Sequence, residues 1–248
     1  MELGIDIGGS GIKGALVDLA TGEFASERVR IETPAKSTPE ACGRIIKRIV
    51  AKLAPKVDDL NIGITVPGPV LHGVVPTIAN LDQGWTNFPA HQAFSDQLGH
   101  PVTVLNDADA AGLAEVYYGA AKGTTGVVLL TTLGTGIGTA IINNGVLLPN
   151  TELGHIEING KDAECLATAA VRERENLTYQ QWAKNLDIYY GWLEKLIWPD
   201  LFVVGGGVSK NHEQFLPLLH LHTPIIPAAL RNRAGIVGAA WAAAHPVA

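Results

Sequence analysis

At 248 residues, the chain is long enough for one large domain or for two lobes of about 100–150 residues each. Hydrophobic residues make up 47% and charged residues 17%, which is typical of a globular protein with a large core. The net charge of −6 argues against nucleic acid as a partner, and no apolar run reaches the roughly 18–20 residues of a membrane span. We expect a cytoplasmic protein, because Cys42 and Cys165 fit no metal spacing and no signal-peptide pattern precedes the first strand.

Short strands and turns open the chain, and helices follow. The pattern predicts a strand before Gly8, a second from Lys13 to Leu19 and an extended segment at 27–33. Thr38 and Pro39 suit the start of a helix whose apolar positions share one face. We then expect a buried strand at 60–66 ending in a proline-glycine turn, a loop-rich stretch at 72–88, a helix at 89–98, a strand at 102–105 and a helix at 108–118.

The second half of the chain begins the same order again. We expect a strand at 127–132, a glycine turn, a further strand and a hairpin turn at Asn143-Asn144-Gly145. Two helices are expected between Ala163 and Leu196, followed by a short buried strand at 201–204 and a small-residue helix at 234–244. A strand-turn-strand unit followed by mixed β and α structure thus occurs twice, which indicates a duplicated α/β fold.

The glycine turns of the two halves match each other. With a one-residue gap at Ser10, Gly8 aligns with Gly134 and Gly11 with Gly136. A glycine turn exposes consecutive backbone N–H groups, and such a concavity attracts anions. Two turns that face each other would hold a polyanion from both sides.

Residues 9–14 also satisfy the G-x-G-x-x-G pattern of dinucleotide-binding proteins. That fingerprint requires a helix directly after the glycines, whereas a β-prone segment follows here. The sequence contains no G-x-x-x-x-G-K-[ST] motif either. The pattern therefore excludes a Rossmann dinucleotide site and a P-loop.

Charged residues flank the first glycine turn. Asp6 ends the first strand, where a buried carboxylate is costly unless it is paired or lies near a cation. Mg²⁺ bound through water would provide that compensation. Lys13 either contacts phosphate or is an exposed surface lysine. Farther along, Gly205-Gly206-Gly207 either makes a tight turn or leaves room for a flat base close to the backbone.

Two further segments carry groups suited to chemistry. Asn106-Asp107 lies where a strand ends and a helix begins, so either side chain could cap the helix. Because ligands of α/β folds bind at strand ends, Asp107 could instead accept the proton of a hydroxyl that attacks phosphorus. Glu152 and His155 could point at one ligand, or they are a surface glutamate and a core histidine. Glu164 suits a helix start, where a carboxylate complements the helix dipole.

Six motifs in this order resemble those of the ROK-type sugar kinases, which belong to the hexokinase–actin–Hsp70 superfamily. They are Asp6-x-Gly-Gly, Pro67-Gly68, Asn106-Asp107, Leu133-Gly-Thr-Gly136, Glu152-Leu-Gly-His155 and Gly205-Gly206-Gly207. Residues 152–164 and 172–177 are similar to the bacterial polyphosphate glucokinases and polyphosphate/ATP-dependent glucomannokinases within that group. Many ROK proteins carry a cysteine-rich zinc motif shortly after the Gly-His step, whereas only Cys165 occurs here, so we expect no zinc.

The resemblance implies a two-lobed, actin-like (ribonuclease H-like) fold with the active site in a cleft between the lobes. Residues 1–112 and 234–248 would form the N-terminal lobe and residues 113–233 the C-terminal lobe. The implied activity is phosphoryl transfer from inorganic polyphosphate, ATP or both to the 6-hydroxyl of glucose, and by extension of mannose, with Mg²⁺ as cofactor. The implied assembly is a homodimer.

The same resemblance assigns roles position by position. Asp107 would be the catalytic base. The sugar would be bound by Gly68, Asn80, Asn106, Asp107, Glu152, His155 and Glu164. The transferred phosphoryl and its neighbours would be held by Gly8, Gly9, Ser10, Gly11, Lys13, Thr132, Gly134, Thr135 and Gly136. Asp6 would position Mg²⁺, and the nucleotide side would be lined by Gly205, Gly206 and Gly207.

Alternatives remain open at the level of the sequence. One is a different kinase of the same build, an ATP-only glucokinase or an N-acetylmannosamine kinase. Another is a non-catalytic sugar sensor, although the intact Asn106-Asp107 pair and both glycine turns count against it. No basic run marks a groove for polyphosphate. The candidate contacts for such a chain are Arg172, Arg174, Lys210, Arg231 and Arg233.

Overall fold

The computed structural model describes residues 1–54 and 59–245. The chain divides into two compact units, Met1–Ala114 with Arg233–Ala248, and Glu115–Asn232. Residues 55–58 and 246–248, which fall in the expected N-terminal lobe, lie outside the described residues. Within the described part of the chain, no helix combines the length and the apolar character needed to cross a membrane.

The secondary structure follows the expected order. The strands are β1 (Glu2–Gly8), β2 (Gly11–Asp18), β3 (Glu23–Phe24), β4 (Val29–Ile31), β5 (Ile62–Val66), β6 (Val102–Asn106), β7 (Val127–Leu133), β8 (Ile137–Asn143), β9 (Val146–Leu148), β10 (Glu157–Ile158), β11 (Lys161–Asp162), β12 (Leu201–Gly205) and β13 (Ile225–Pro227). The α-helices are α1 (Pro39–Leu53), α2 (Ala90–Leu98), α3 (Asp107–Tyr117), α4 (Glu164–Ala167), α5 (Ala169–Arg174), α6 (Tyr179–Ile197) and α7 (Ala234–Ala244). Short 3₁₀ turns occur at Gln83–Trp85, Leu153–His155, Gly207–Gln214, Leu216–Leu218 and Arg231–Arg233.

A single sheet forms the centre of the first unit, in the order β3-β2-β1-β5-β6, with β4 also paired to β2. Strand β1 is antiparallel to β2 and parallel to β5, and β5 is parallel to β6. Helix α1 begins as expected, because the Thr38 hydroxyl accepts the amide hydrogen of Ala41, and its apolar face is buried in the core.

Helix α7 packs directly on this sheet, backbone against backbone. A Cβ added to Gly4 would lie 1.9 Å from the carbonyl oxygen of Ile236, and one added to Gly63 would lie 1.8 Å from that of Ala239. Glycine at these strand positions thus makes room for the helix backbone. The small-residue sequence of 234–244 predicted this tight packing, and the structure confirms it.

The second unit repeats the arrangement. Its main sheet has the order β13-β12-β7-β8-β9, in which β7 is antiparallel to β8 and parallel to β12. Ile7 pairs with Ile12 in the first hairpin, and Leu133 pairs with Ile137 in the second. The expected duplication is therefore confirmed at the level of strand register.

Local signals explain two further features of the second unit. Asn144 and Gly145 have φ of 49° and 83°, as a tight two-residue hairpin requires, so the expected turn is confirmed. The expectation of two helices between 163 and 196 is wrong, because three are present. Thr168 caps a new helix directly after α4, and Thr178 forms a capping box with Gln181 at the start of α6.

Candidate active site

Three neighbouring parallel strands of the first unit end at one edge of its sheet. Gly8, Val66 and Asn106 are the last residues of β1, β5 and β6, and Val66 is paired with Asn106. Gly8 is paired with Gly11, so Gly9 and Ser10 form the tip of the first glycine turn. The edge therefore brings together the first turn, the Pro67-Gly68 step and Asn106-Asp107.

The 77–80 segment lies over this edge. A Cβ on Gly68 would lie 3.1 Å from the carbonyl oxygen of Thr77, and one on Gly9 would lie 4.0 Å from that of Asn80. Asn80 itself is exposed. The structure thus places one end of this segment beside Gly68 and the other end, Asn80, beside the first turn.

Asn106 takes the capping role that the sequence left open for either Asn106 or Asp107. The Asn106 side-chain oxygen accepts the amide hydrogens of Ala108 (2.7 Å) and Asp109 (3.1 Å), so it caps α3. The cap leaves the side-chain nitrogen of Asn106 available for a ligand. Asp107 is the first residue of α3 and is half-buried at the same edge.

Asp6 is paired within the protein. Lys13 Nζ lies 3.1 Å from one carboxylate oxygen of Asp6, and the Thr65 hydroxyl donates to the other at 3.0 Å. The start of α7 also lies close to this carboxylate, since a Cβ on Gly235 would lie 3.4 Å from Asp6 Cγ. The Lys13 ammonium thus balances the Asp6 carboxylate, a role for which the sequence suggested Mg²⁺. A single partly exposed carboxylate still fits Mg²⁺, which usually takes one or two protein carboxylates plus substrate phosphates and water.

The second glycine turn is held by Glu164. The Ile137 amide donates to Glu164 Oε1 at 2.7 Å, and a Cβ on Gly136 would lie 2.6 Å from the same oxygen. The Gly134 amide donates to the Gly136 carbonyl at 3.0 Å. These bonds do not use the amides of Thr135 and Gly136, which are the groups that remain for an anion.

The glycines at 205–207 lie beside this second turn. Gly205 is paired with Thr132 across β12 and β7. Gly206 has a φ of 82°, and its added Cβ would lie 2.3 Å from the carbonyl oxygen of Leu133. A Cβ on Gly207, in contrast, would have no neighbour within 4 Å. The structure thus has a tight turn at Gly206 and open space at Gly207, and the placing of a flat base in that space stays a prediction.

The Glu152–His155 segment is fixed to β8. The Leu153 amide donates to the Thr139 hydroxyl at 3.1 Å, and a Cβ on Gly154 would lie 2.3 Å from the carbonyl oxygen of Ile137. Glu152 is exposed as a residue, but partial loss of water around its carboxylate raises its pKa, against the opposing effect of nearby His155.

Asp162 is a member of this cluster that the sequence analysis missed. His155 Nδ1 lies 2.8 Å from Asp162 Oδ2, and this hydrogen bond raises the pKa of His155, with further support from Glu164. His155, Asp162 and Glu164 offer ligand atoms within 4.8 Å of one another, but both carboxylates already accept hydrogen bonds. The Asn159-Gly160 dipeptide was the available signal, because it forms the hairpin that returns Asp162 to His155.

Comparison with known proteins decides the family, because the model of the ROK family matches residues 2–170. The chain belongs to the ROK family. The polyphosphate glucokinase of Mycobacterium tuberculosis is 50% identical to this ROK protein over 240 residues, which cover 96% of this chain and 89% of the relative. The crystal structure of the inorganic polyphosphate/ATP-glucomannokinase from Arthrobacter sp. strain KM is 49% identical, with a TM-score of 0.92 and 98% of both chains covered.

A ROK family glucokinase from Streptomyces griseus, solved in complex with glucose and AMPPNP, is 26% identical, with a TM-score of 0.82 and coverage of 98% of this chain and 99% of that one. These similarities confirm the expected α/β fold of the actin-like type for this ROK protein. The roles of individual residues and the functional boundaries of the lobes stay predictions.

Proposed function

We propose that this ROK protein is a hexokinase-type phosphotransferase that moves a phosphoryl group from inorganic polyphosphate or ATP to the 6-hydroxyl of glucose. One observation carries the proposal. Asp107 lies half-buried at the strand edge that also holds the first glycine turn, so a carboxylate able to act as a base and a turn suited to phosphate share one edge. The 50% identity to a polyphosphate glucokinase supports the choice of substrates.

On the acceptor side, we assign sugar hydroxyls to Gly68, Asn80, Asn106, Asp107, Glu152, His155 and Glu164. Asp107 takes the proton of the 6-hydroxyl as its oxygen attacks phosphorus. His155 contributes through Nε2, because Nδ1 is held by Asp162. Buried or oriented polar groups of this kind lose their partners when a hydroxyl is missing, which gives the site its selectivity.

On the donor side, we assign the phosphates to the two glycine turns. Their backbone amides stabilise charge on the phosphoryl oxygens. The residues are Gly8, Gly9, Ser10, Gly11 and Lys13 at the first turn, and Thr132, Gly134, Thr135 and Gly136 at the second. Asp6 is the residue that would hold Mg²⁺, which when bound neutralises phosphate charge. Gly205, Gly206 and Gly207 are assigned to the nucleotide side, where the open space at Gly207 suits a flat base.

We extend the proposal to the lobes, to a second acceptor, to the location and to the assembly. Residues 1–112 with 234–248 form the functional lobe that supplies the base, and residues 113–233 form the lobe that supplies Glu152, His155 and the nucleotide side. Mannose is a second acceptor, as the name of the Arthrobacter relative suggests. The enzyme is cytoplasmic and a homodimer, and sedimentation of the purified protein tests the dimer directly.

A coupled assay tests the activity, with glucose, mannose and N-acetylmannosamine as acceptors and ATP or polyphosphate as donors. Asp107→Asn should lower kcat by about 10²–10⁴-fold, the usual contribution of a general base, while glucose binding by calorimetry largely survives. Asp96→Asn on the exposed side of α2 is the matched control. Retained turnover of Asp107→Asn would remove this residue from the role, and sugar binding without transfer from any donor would favour a sensor.

A further inference from the structure

Four polar side chains form a row across the sheet of the first unit, next to the first glycine turn. Arg30 on β4 is paired with Lys13 on β2, Lys13 is paired with Asp6 on β1, and Asp6 is paired with Thr65 on β5. Directly paired residues of neighbouring strands point to the same face of a sheet. Arg30, Lys13, Asp6 and Thr65 therefore share one face, and Arg30 stands at its outer end.

Arg30 lies against the glycine turn itself. Its Nη2 donates to the carbonyl oxygen of Ser10 at 2.8 Å. A Cβ added to Gly11 would lie 2.8 Å from Arg30 Nε and 3.0 Å from both Cζ and Nη2. The guanidinium thus occupies the space that the missing side chain of Gly11 leaves, which is a reason for glycine at this position in addition to its turn.

The charge of Arg30 is the one in this row that is not balanced. Lys13 is neutralised by Asp6 at 3.1 Å, whereas no ion pair of Arg30 with a carboxylate is seen among residues 1–54 and 59–245. Three of the arginines considered from the sequence are otherwise engaged. Arg233 pairs with Glu23, Arg174 pairs with Glu175, and Arg172 lies over the Tyr179 ring.

We infer that Arg30 is a phosphate-binding residue of the donor site and that inorganic polyphosphate depends on it more than ATP does. The inference rests on the proposed phosphotransferase function. A guanidinium has five donors in a planar fork, and the bond to Ser10 uses one nitrogen while fixing the plane beside the turn. The remaining donors suit two oxygens of one phosphate.

The difference between donors follows from their chemistry. ATP divides its binding energy among base, ribose and phosphates, so loss of one phosphate contact removes a modest share. Polyphosphate presents only phosphates, and every contact beyond the transferred group must come from cations or from N–H and O–H donors. Arg30 extends the first turn by one such contact in a protein whose net charge is −6.

Steady-state kinetics of Arg30→Gln and Arg30→Lys test this. Arg30→Gln removes the charge and is two bonds shorter, so water replaces its bond to the exposed Ser10 carbonyl, and the pairing of β4 with β2 should be preserved. We expect its KM for polyphosphate to rise about tenfold, which is 1.4 kcal/mol, and its KM for ATP about two- to threefold. A plot of log KM for polyphosphate against log salt concentration should have a slope that is smaller by about one in this variant. Removal of one cationic contact has this effect on the binding of other linear polyanions. Arg30→Lys should be intermediate, because it keeps the charge and loses the fork.

Matched variants separate binding from structure. Arg48→Gln, on the exposed face of α1, removes the same charge elsewhere and should change neither KM. Gly11→Ala should resemble Arg30→Gln, since the new methyl group displaces only the flexible end of the Arg30 side chain. The KM for glucose and the melting temperature should stay unchanged in Arg30→Gln.

Three results in Arg30→Gln would each overturn the inference: an equal rise of KM with both donors, a lowered melting temperature, or unchanged kinetics. Arg30 would then only connect β4 to the first glycine turn. If the unaltered protein transfers phosphate from no donor, the proposed function fails. A calorimetric titration with tripolyphosphate then still decides the inference, because Arg30→Gln must bind it about tenfold more weakly than the unaltered protein.

Discussion

Replacement of Gly206 by alanine tests how closely this residue packs against Leu133, next to the second glycine turn. Its φ of 82° and ψ of 172° lie in a region that is essentially restricted to glycine, which costs an alanine about 1–3 kcal/mol. An added Cβ would lie 2.3 Å from the carbonyl oxygen of Leu133 and 2.6 Å from its amide nitrogen, so backbone must move. Overpacking of this kind costs about 1–3 kcal/mol. We therefore expect Gly206→Ala to lower the free energy of unfolding by about 2–6 kcal/mol.

Urea unfolding measures this change. With a slope of about 2 kcal/mol per molar, the midpoint should fall by about 1–3 M. Hydrogen exchange should locate the loss in β7 and β12, the strands that meet at Gly206 and Leu133. Gly207→Ala is the matched control, because its Cβ has no neighbour within 4 Å, and its effect should stay within about 0.5 kcal/mol. Equal stability of the two variants would refute the close approach of Gly206 to Leu133.

Three further predictions concern buried or hydrogen-bonded carboxylates. Glu115→Gln should lower the free energy of unfolding in urea by about 3 kcal/mol, because this fully buried carboxylate accepts three backbone amide hydrogens. Asp162→Asn should lower the pKa of His155 towards its ordinary value, which a proton NMR titration measures. The raised His155 pKa contributes stability that is present at low pH and lost as pH rises through that pKa, so this variant should gain less stability on acidification. Glu164→Ala should raise the KM for the phosphoryl donor about tenfold, because it releases the Ile137 amide, and it should also raise the KM for glucose through loss of the proposed hydroxyl contact, whereas Glu164→Gln still accepts the Ile137 bond.

Each of these predictions has an outcome that would contradict it. Unchanged stability of Glu115→Gln would mean that the three amides find other partners. An unshifted His155 titration in Asp162→Asn would show that the hydrogen bond does not form in solution. An unchanged donor KM in Glu164→Ala would show that the bond to the Ile137 amide does not hold the second turn.

Much of the fold follows from local signals in the sequence. Thr38 and Pro39 mark the start of α1, Asn144-Gly145 marks a hairpin, and the small residues of 234–244 mark a closely packed helix. Each of these signals acts within a few residues, so neighbouring sequence is enough to read it. Thr168 and Thr178 are local signals of the same kind. Each marks the start of a helix, so together with the helix that starts at Glu164 they indicate three helices instead of two.

The site was predictable only in part, because its contacts depend on strand register. The motifs identified the glycine turns and Asp107, but the neutralisation of Asp6 by Lys13 requires knowing which residues of β1 and β2 are paired. Arg30 is 20 residues from Ser10 in sequence and reaches it only because β4 pairs with β2. The spacing of residues along the sequence does not show which residues of two strands are paired, and these contacts depend on that pairing.

The packing of α7 has a consequence for biosynthesis. The helix that covers β1 and β5 leaves the ribosome only after the whole of Glu115–Asn232 has been made. At typical translation speeds of about 5–20 residues per second, the apolar surface of the nascent first unit stays uncovered for about 6–25 s. The later-made unit, continuous in sequence, can complete its folding first, and the opening segment of the chain is the part that would need protection by chaperones in the meantime.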